Sequence, residues 1–277
     1  MIVDTHVHVI SDDLRKYPKV KDAYDWPDFT AETLIATMDK VGIDRALLVQ
    51  AYYTYRFDNS YHVASALAHR ERFRCICVID QYAKDAAEML QRLVEKEGVA
   101  GVRLTHVPGG SYDDPRSFPV WEAAAALRIP ICISARFDDI PTARRAIERH
   151  PRVRVALEHM WAQPMCDPPY REFEPFYRMA EFPNVYVKTT PNNSHQSRAG
   201  KSTPEAFFRA LVERFGAKRI MWGSNYLAHW DKYDRIPERM ELTRRDLAFL
   251  SEEDRRSILG ESALQLWPEL RGTSSDG

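Results

Sequence analysis

The sequence predicts an α/β fold, a (β/α)8 TIM barrel formed by a single domain over residues 1–277. Three observations carry this expectation. Eight short β-rich runs alternate with helical patterns. Several runs are almost continuously apolar, as in Ala-Leu-Leu-Val-Gln at 46–50 and Ile-Cys-Ile-Ser at 131–134, the pattern of parallel strands covered on both faces. The chain has 277 residues, 44% of them hydrophobic, a usual length for one barrel with a sizeable core. A doubly wound open sheet is the other arrangement these elements allow.

The expected strands are 2–9, 45–51, 73–79, 101–104, 130–135, 153–159, 185–189 and 219–223. In the first, side chains alternate, so Asp4, His6 and His8 share one face and Val3, Thr5, Val7 and Val9 the other. After it, Leu34, Ile35, Met38 and Val41 repeat at helical spacing and stop at Gly42. Met89, Leu90, Leu93 and Val94 do the same and stop at Gly98. Thr203-Pro204-Glu205 supplies a cap, a first-turn proline and a first-turn acid. Phe207, Phe208, Leu211, Val212 and Phe215 follow, ending at Gly216. Ser251 to Asp254 resembles a capping box before the last helix. Two loops are long for this fold, 11–29 after the first strand and 161–171 after the sixth, where barrels build their mouths. The tail 273–277 reads as frayed.

A formal net charge of −1 argues against nucleic-acid binding and membrane attraction. No apolar run approaches the ~20 residues of a membrane span, and the chain enters its first strand without a charged-then-apolar leader. Cys75, Cys77, Cys132 and Cys166 lack CxxC spacing. Buried reduced thiols in a cytoplasmic protein are the expectation, rather than a zinc site from Cys75 and Cys77.

Barrel active groups sit at the C-terminal ends of strands. Those ends offer His6 and His8; Gln50, then Tyr52, Tyr53, Tyr55 and Phe57; Arg103 and His106; and Ser134 and Arg136. The later strands offer Glu158 and His159; Lys188, Thr189 and Thr190; and Ser224, Asn225 and Tyr226, with His229 beyond. Each has a plainer reading. An HxH pair also arises by chance, His159 can be a core histidine, and Arg103 an ion-pair partner. The tyrosines form either an aromatic wall for a ring-shaped ligand or a packed loop. Lys188 reads as a buried structural lysine before it reads as an imine former. Glu158 orients a neighbour rather than reacts. His62, His69 and His150 fall in helical patterns or at their ends and read as surface residues.

Seven segments then occur in one order: Asp-Thr-His-Val-His at 4–8, Asp-Asn-Ser-Tyr at 58–61, Gly-Val-Arg-Leu at 101–104, Glu-His-Met at 158–160, Val-Tyr-Val-Lys at 185–188, Met-Trp-Gly-Ser-Asn at 221–225 and Ile-Leu-Gly-Glu-Ser-Ala at 258–263. Any one is weak, but the ordered set covers nearly the whole chain. It resembles the second large family of the amidohydrolase superfamily, and within it the dicarboxylate-pyrone and sugar-acid lactonases. The resemblance implies a hydrolase in a TIM barrel. In metal-dependent members, one divalent ion is held by the first-strand HxH, a histidine ending strand five and an aspartate ending strand eight. This chain departs at two of those places: strand five has no histidine, and strand eight ends in Asn225. An amide is no general base near neutral pH. Arg103 stands where a metal-bridging lysine would, which argues against a two-metal site.

The resemblance also implies a second mode, without metal, in which histidines polarise the substrate carbonyl and arginines hold carboxylates. The expected catalytic residues are His6, His8, His159 and Asn225. The expected substrate contacts are Arg103, Arg136, Tyr53, Ser134, Lys188 and His229, with the arginines suited to bidentate carboxylate recognition. The expected reaction opens, or isomerises, a small carboxylate-bearing lactone or cyclic ester. Water is then activated by His229 or a mouth histidine, or a substrate hydroxyl replaces it. Two alternatives stand beside this: a mononuclear hydrolase or aromatic-acid decarboxylase with zinc or manganese on His6, His8 and His159, and an inactive small-carboxylate binding protein. The expected partner is a small-molecule substrate, and the expected assembly a homodimer, as is common for such barrels.

Overall fold

The computed structural model describes residues 1–106, 109–134, 136–159, 171–199, 202–227 and 235–272. Eight parallel strands form one sheet in the order β1 to β8: β1 Val3–Val7, β2 Arg45–Val49, β3 Phe73–Val78, β4 Gly101–Thr105, β5 Ile131–Ser134, β6 Val155–Leu157, β7 Val185–Thr189 and β8 Ile220–Trp222. A parallel bridge between Val7 and Tyr226 brings the last strand back to the first. This is the expected (β/α)8 barrel, and the open sheet is excluded.

The strands stop earlier than the apolar runs that predicted them. β6 ends at Leu157 because His159 turns to φ +54°, and the chain beyond β8 turns at Asn225, φ +49°. Both residues leave the extended region where the barrel gives way to loops. In β1 the pairing with β2 is irregular between Asp4 and Val7, so strict alternation fails there. Val3 packs inside the barrel with Leu47, Val49, Ile76 and Met221. Asp4 is taken up by backbone amides and does not join His6 and His8 in one row.

The helices follow their sequence signals. The Thr30 hydroxyl caps Ala31–Val41 by accepting from the Thr33 amide, and Gly42 ends that helix at φ +75°. Thr203 caps Pro204–Phe215 through the Ala206 amide, and Ser251 caps Glu252–Arg256 through that of Asp254. The floor of the barrel is closed by the C-terminal segment: Leu264, Leu266, Trp267 and Leu270 pack on the inner core, and the Trp267 indole donates to the Ala100 carbonyl at 3.1 Å. Each such fully buried apolar side chain contributes about 2 kcal/mol.

Two of the histidines read as surface residues are buried. The helix Ser60–Ala68 turns His62 inward with Val63, Ser65 and Ala66, against the rings of Tyr55 and Tyr61. His150 stacks on Trp121 and bonds the Ala146 carbonyl. Cys75, Cys77 and Cys132 are buried and free, as expected, while Cys166 and most of loop 161–171 lie outside the described residues. Among the described residues no helix is long and apolar enough to cross a membrane.

Candidate active site

At the C-terminal end of the barrel, β1 and β6 bring three imidazoles together. The His6 ring lies 5.0 Å from that of His8 and 4.3 Å from that of His159, edge to face in both cases. β8 makes room for them. A methyl group on Gly223 would sit 2.8 Å from the His6 Cβ, so only glycine lets the two strands approach this closely. Asn225 follows, its amide donating to the His6 carbonyl at 2.7 Å. Its left-handed backbone suits asparagine, whereas the same conformation at His159 is strained, a kind of strain that concentrates at functional sites. Asp4 braces the pair from behind: its Oδ1 accepts from the His6 amide at 3.0 Å and from the Ser224 amide at 2.8 Å. Burial raises the Asp4 carboxyl to about 6, and the Ser224 bonds only partly offset this.

Beneath the imidazoles lies a buried ionic array. Glu158 Oε2 accepts from Arg103 Nε at 2.6 Å, its Oε1 accepts from Lys188 Nζ at 3.2 Å, and Oε1 stands 3.3 Å from His6 Nδ1. Burial alone would raise the Glu158 carboxyl. Arg103 and Lys188 outweigh it and hold the group well below the usual carboxylate range. Lys188 is fully buried, its ammonium over the Trp267 ring. Arg103 also donates through Nη2 to the Ser134 hydroxyl at 2.9 Å, and Nη1 has no partner among the described residues.

The histidines themselves are neutral. Burial pushes His6 well below its ordinary value against the pull of Glu158, His8 down to about 4 and His159 to about 3. Their tautomers are not equally free. His8 Nδ1 lies 2.7 Å from the Val49 carbonyl, an oxygen that only accepts, so Nδ1 carries the proton and Nε2 presents a lone pair. The expectation that His8 donates to a carbonyl is corrected: neutral His8 is an acceptor toward a ligand. No fixing bond holds His159 among the described residues, and its buried Nδ1 is without a partner.

The remaining expected residues divide. Ser134 joins the site through Arg103. Arg136 has an exposed side chain at the rim. Tyr53 is 44% exposed and stacks on Tyr24 at 4.5 Å, making outer wall rather than barrel lining. His229 lies outside the described residues. Gln50 fixes its own loop by donating to the Arg56 and Asp58 carbonyls. Sequence reasoning missed three contributors. Trp26, in the long loop after β1, stacks on His8 at 5.5 Å. Tyr112 donates to the Ser134 carbonyl at 2.7 Å. Asp139 binds His106. The Asp-Trp-Pro in loop 11–29 was the one available signal, a large aromatic where the barrel opens.

The ligand atoms within 4.8 Å of one another belong to His6, Glu158 and His159, so the carboxylate stands where the sequence placed His8. Buried Nε2 of His6 and Nδ1 of His159, which have no hydrogen-bond partner among the described residues, and the lone pair of His8 are donor chemistry that fits a divalent ion. Glu158 fits it less well, being already bound by two cations.

A TIM barrel that gathers imidazoles over a buried cation–carboxylate array at the C-terminal end of its strands has the arrangement of a barrel enzyme. A family model described as amidohydrolase matches residues 3–268, and the chain belongs to that family. It is 25% identical over 237 residues to an L-fucono-1,5-lactonase from Burkholderia ambifaria, covering 81% of this chain and 79% of that one. Its fold is similar to that of a probable 2-pyrone-4,6-dicarboxylic acid hydrolase from Acinetobacter baumannii with citric acid bound, at TM-score 0.76 and 16% identity over 96% of this chain and 99% of that one. It is also similar to that of a dihydroxybenzoic acid decarboxylase from Polaromonas sp. JS666 with manganese and 2-nitroresorcinol bound, at TM-score 0.69 and 17% identity over 96% of each chain.

Proposed function

We propose that this protein hydrolyses a small lactone or cyclic ester that carries a carboxylate. The observation that carries the reading is Arg103. A buried guanidinium is fixed by Glu158 and Ser134, with Nη1 unpartnered among the described residues, at the barrel end that carries the three imidazoles. Such a donor suits a substrate carboxylate or the oxygen that becomes negative as an acyl carbon turns tetrahedral, an interaction worth about 3 kcal/mol when well placed. His159, free in tautomer, donates to the same oxygen. His8 Nε2 accepts from a substrate hydroxyl or the attacking water. Trp26, Tyr24 and Tyr53 give a ring-shaped substrate an aromatic flank. The lactonase and pyrone hydrolase among the similar proteins support a cyclic ester as the substrate class.

This reading needs no metal. Strand five ends in Ser134, Asn225 follows strand eight, and Glu158 is already satisfied. A second reading is favoured by the His8 tautomer, which is the one a metal ligand takes. In it His6, His8 and His159 hold zinc or manganese, and a bound ion would supply Lewis-acid polarisation of the carbonyl.

Assays against a panel of sugar-acid and pyrone lactones test the function. Wild type is expected to turn over at least one. Arg103→Ala and His6→Ala are each expected to lower kcat/KM about 100-fold or more while still folding. A wild type that binds carboxylates but opens no lactone would instead be a binding protein. Chelation followed by elemental analysis separates the two modes. Full activity with less than about a tenth of an equivalent of metal supports the first. Lost activity restored by zinc or manganese supports the second.

A further inference from the structure

The reaction just proposed requires something to take a proton from water, and the usual place for that base holds Asn225. His8 presents a lone pair from within the buried cluster. At the end of β4, outside this dry cluster, stands a second constellation. His106 Nδ1 lies 2.8 Å from Asp139 Oδ2, so the ring proton sits on Nδ1 and Nε2 offers a lone pair. Asp139 is itself fixed: the same Oδ2 accepts from the Arg136 amide at 2.7 Å, at the turn that begins Phe137–Asp139. The histidine is held from below by its own amide, which donates to the Ser134 carbonyl at 2.9 Å.

Ser134 ties this pair to the site. Its carbonyl also accepts from the Tyr112 hydroxyl, and its hydroxyl accepts from Arg103 Nη2. One residue thus separates the His106–Asp139 pair from the Arg103 guanidinium. The His106 side chain is 26% exposed, so water reaches it, unlike the buried His6. Asp139 is its direct ionic partner, and the Tyr112 hydroxyl and Arg103 guanidinium both bond Ser134, the residue that accepts from the His106 amide.

We propose that His106, oriented by Asp139, is the general base for lactone opening. The assignment rests on the lactone-hydrolase reading above. Water gives its proton to His106 Nε2 as its oxygen bonds the acyl carbon, and the carbonyl electron pair moves onto the carbonyl oxygen. The tetrahedral adduct collapses, the ring C–O bond breaks, and the leaving alkoxide takes the proton back from the imidazolium. The products are one hydroxy acid and no spare proton beyond that of its carboxyl group. Asp139 stabilises the imidazolium while it exists, as a carboxylate beside a catalytic histidine does.

The test uses the full chain with whichever lactone wild type opens. His106→Gln is expected to lower kcat about 100-fold or more with little change in KM, and to remove the acid limb of the pH–rate profile. Asp139→Asn is expected to lose about tenfold and to move that limb to lower pH. Added imidazole is expected to restore part of the rate to His106→Ala and none to Arg103→Ala. Full activity and an unchanged pH profile in His106→Gln overturn the assignment while leaving the lactonase reading intact. A wild type that opens no lactone overturns both. If His106→Gln fails to fold, the imidazole response of His106→Ala and the Asp139→Asn profile decide in its place, and no rescue with no shift counts against the base.

Discussion

Glu158→Gln is expected to destabilise the protein by about 3–5 kcal/mol, the cost of breaking a buried ion pair from one side. The carboxylate is the common acceptor for Arg103 at 2.6 Å and Lys188 at 3.2 Å, with the His6 ring at 3.3 Å, and all four groups are buried. Glutamine keeps the shape and one acceptor oxygen. It removes the charge that two cations share, and its NH₂ would point donors at donors. Domains of this kind are stable by about 5–15 kcal/mol, so the loss is a large fraction of the whole. Urea unfolding measures it. A companion variant sharpens the cause: in Glu158→Gln/Lys188→Met the ammonium goes too, and part of the lost stability should return, because the two sites are in contact and couple. Turnover should remain low in both, since Arg103 loses the partner that aims it. A Glu158→Gln protein within about 1 kcal/mol of wild type would mean that the array carries no net charge–charge stabilisation.

What is local is legible in the residues. Parallel strands read as apolar runs, and helix ends read as Gly42, Gly98, Thr203 and Ser251, because capping and left-handed turns depend on the residue at one position. The strand-end rule also brings His6, His8, Arg103, His159 and Asn225 to one end of the barrel. What it missed is long-range or register-dependent. Glu158 was read as an orienting group, but its three partners come from strands 1, 4 and 7. His106 and Asp139 are 33 residues apart and meet only because β4 and β5 are neighbours. The β1 irregularity that removes Asp4 from the histidine row follows from its pairing with β2, and no alternation argument contains it. His8 was expected as a donor because the residue type permits it. One carbonyl, that of Val49, decides otherwise. The surface reading of His62 failed because a short helix with apolar residues on several sides does not declare which face the barrel will cover.

That buried His62 leads to the last expectation: the protein should lose stability steeply as pH falls below about 6.5, and His62→Leu should reduce the loss. Burial lowers His62 and His159 to about 3, His8 to about 4 and His6 well below its ordinary value, against about 6.5 in an unfolded chain. Between those limits the unfolded state binds protons that the folded state refuses. Stability is therefore fully present above pH 6.5 and drains away as pH drops toward the folded values. For His8 alone the loss between pH 6.5 and 4 is about 3 kcal/mol. Asp4 works the other way: raised to about 6, it is protonated in the folded state first and returns some stability down to about pH 4. Glu158, held low, adds its own loss only below about pH 4.3. Four histidines against one aspartate leave the acid side weaker. His62 isolates the effect, because neither of its ring nitrogens has a hydrogen-bond partner among the described residues and its neighbours are the rings of Tyr55 and Tyr61. Leucine removes an unsatisfied polar group, a gain of about 1–2 kcal/mol at any pH. It also removes one titrating site, a further gain of about 2 kcal/mol at pH 5 that is absent at pH 8. Thermal unfolding of wild type and His62→Leu at both values reads the difference. An equal advantage at pH 5 and pH 8 would show that His62 is not a proton-refusing group in the folded state.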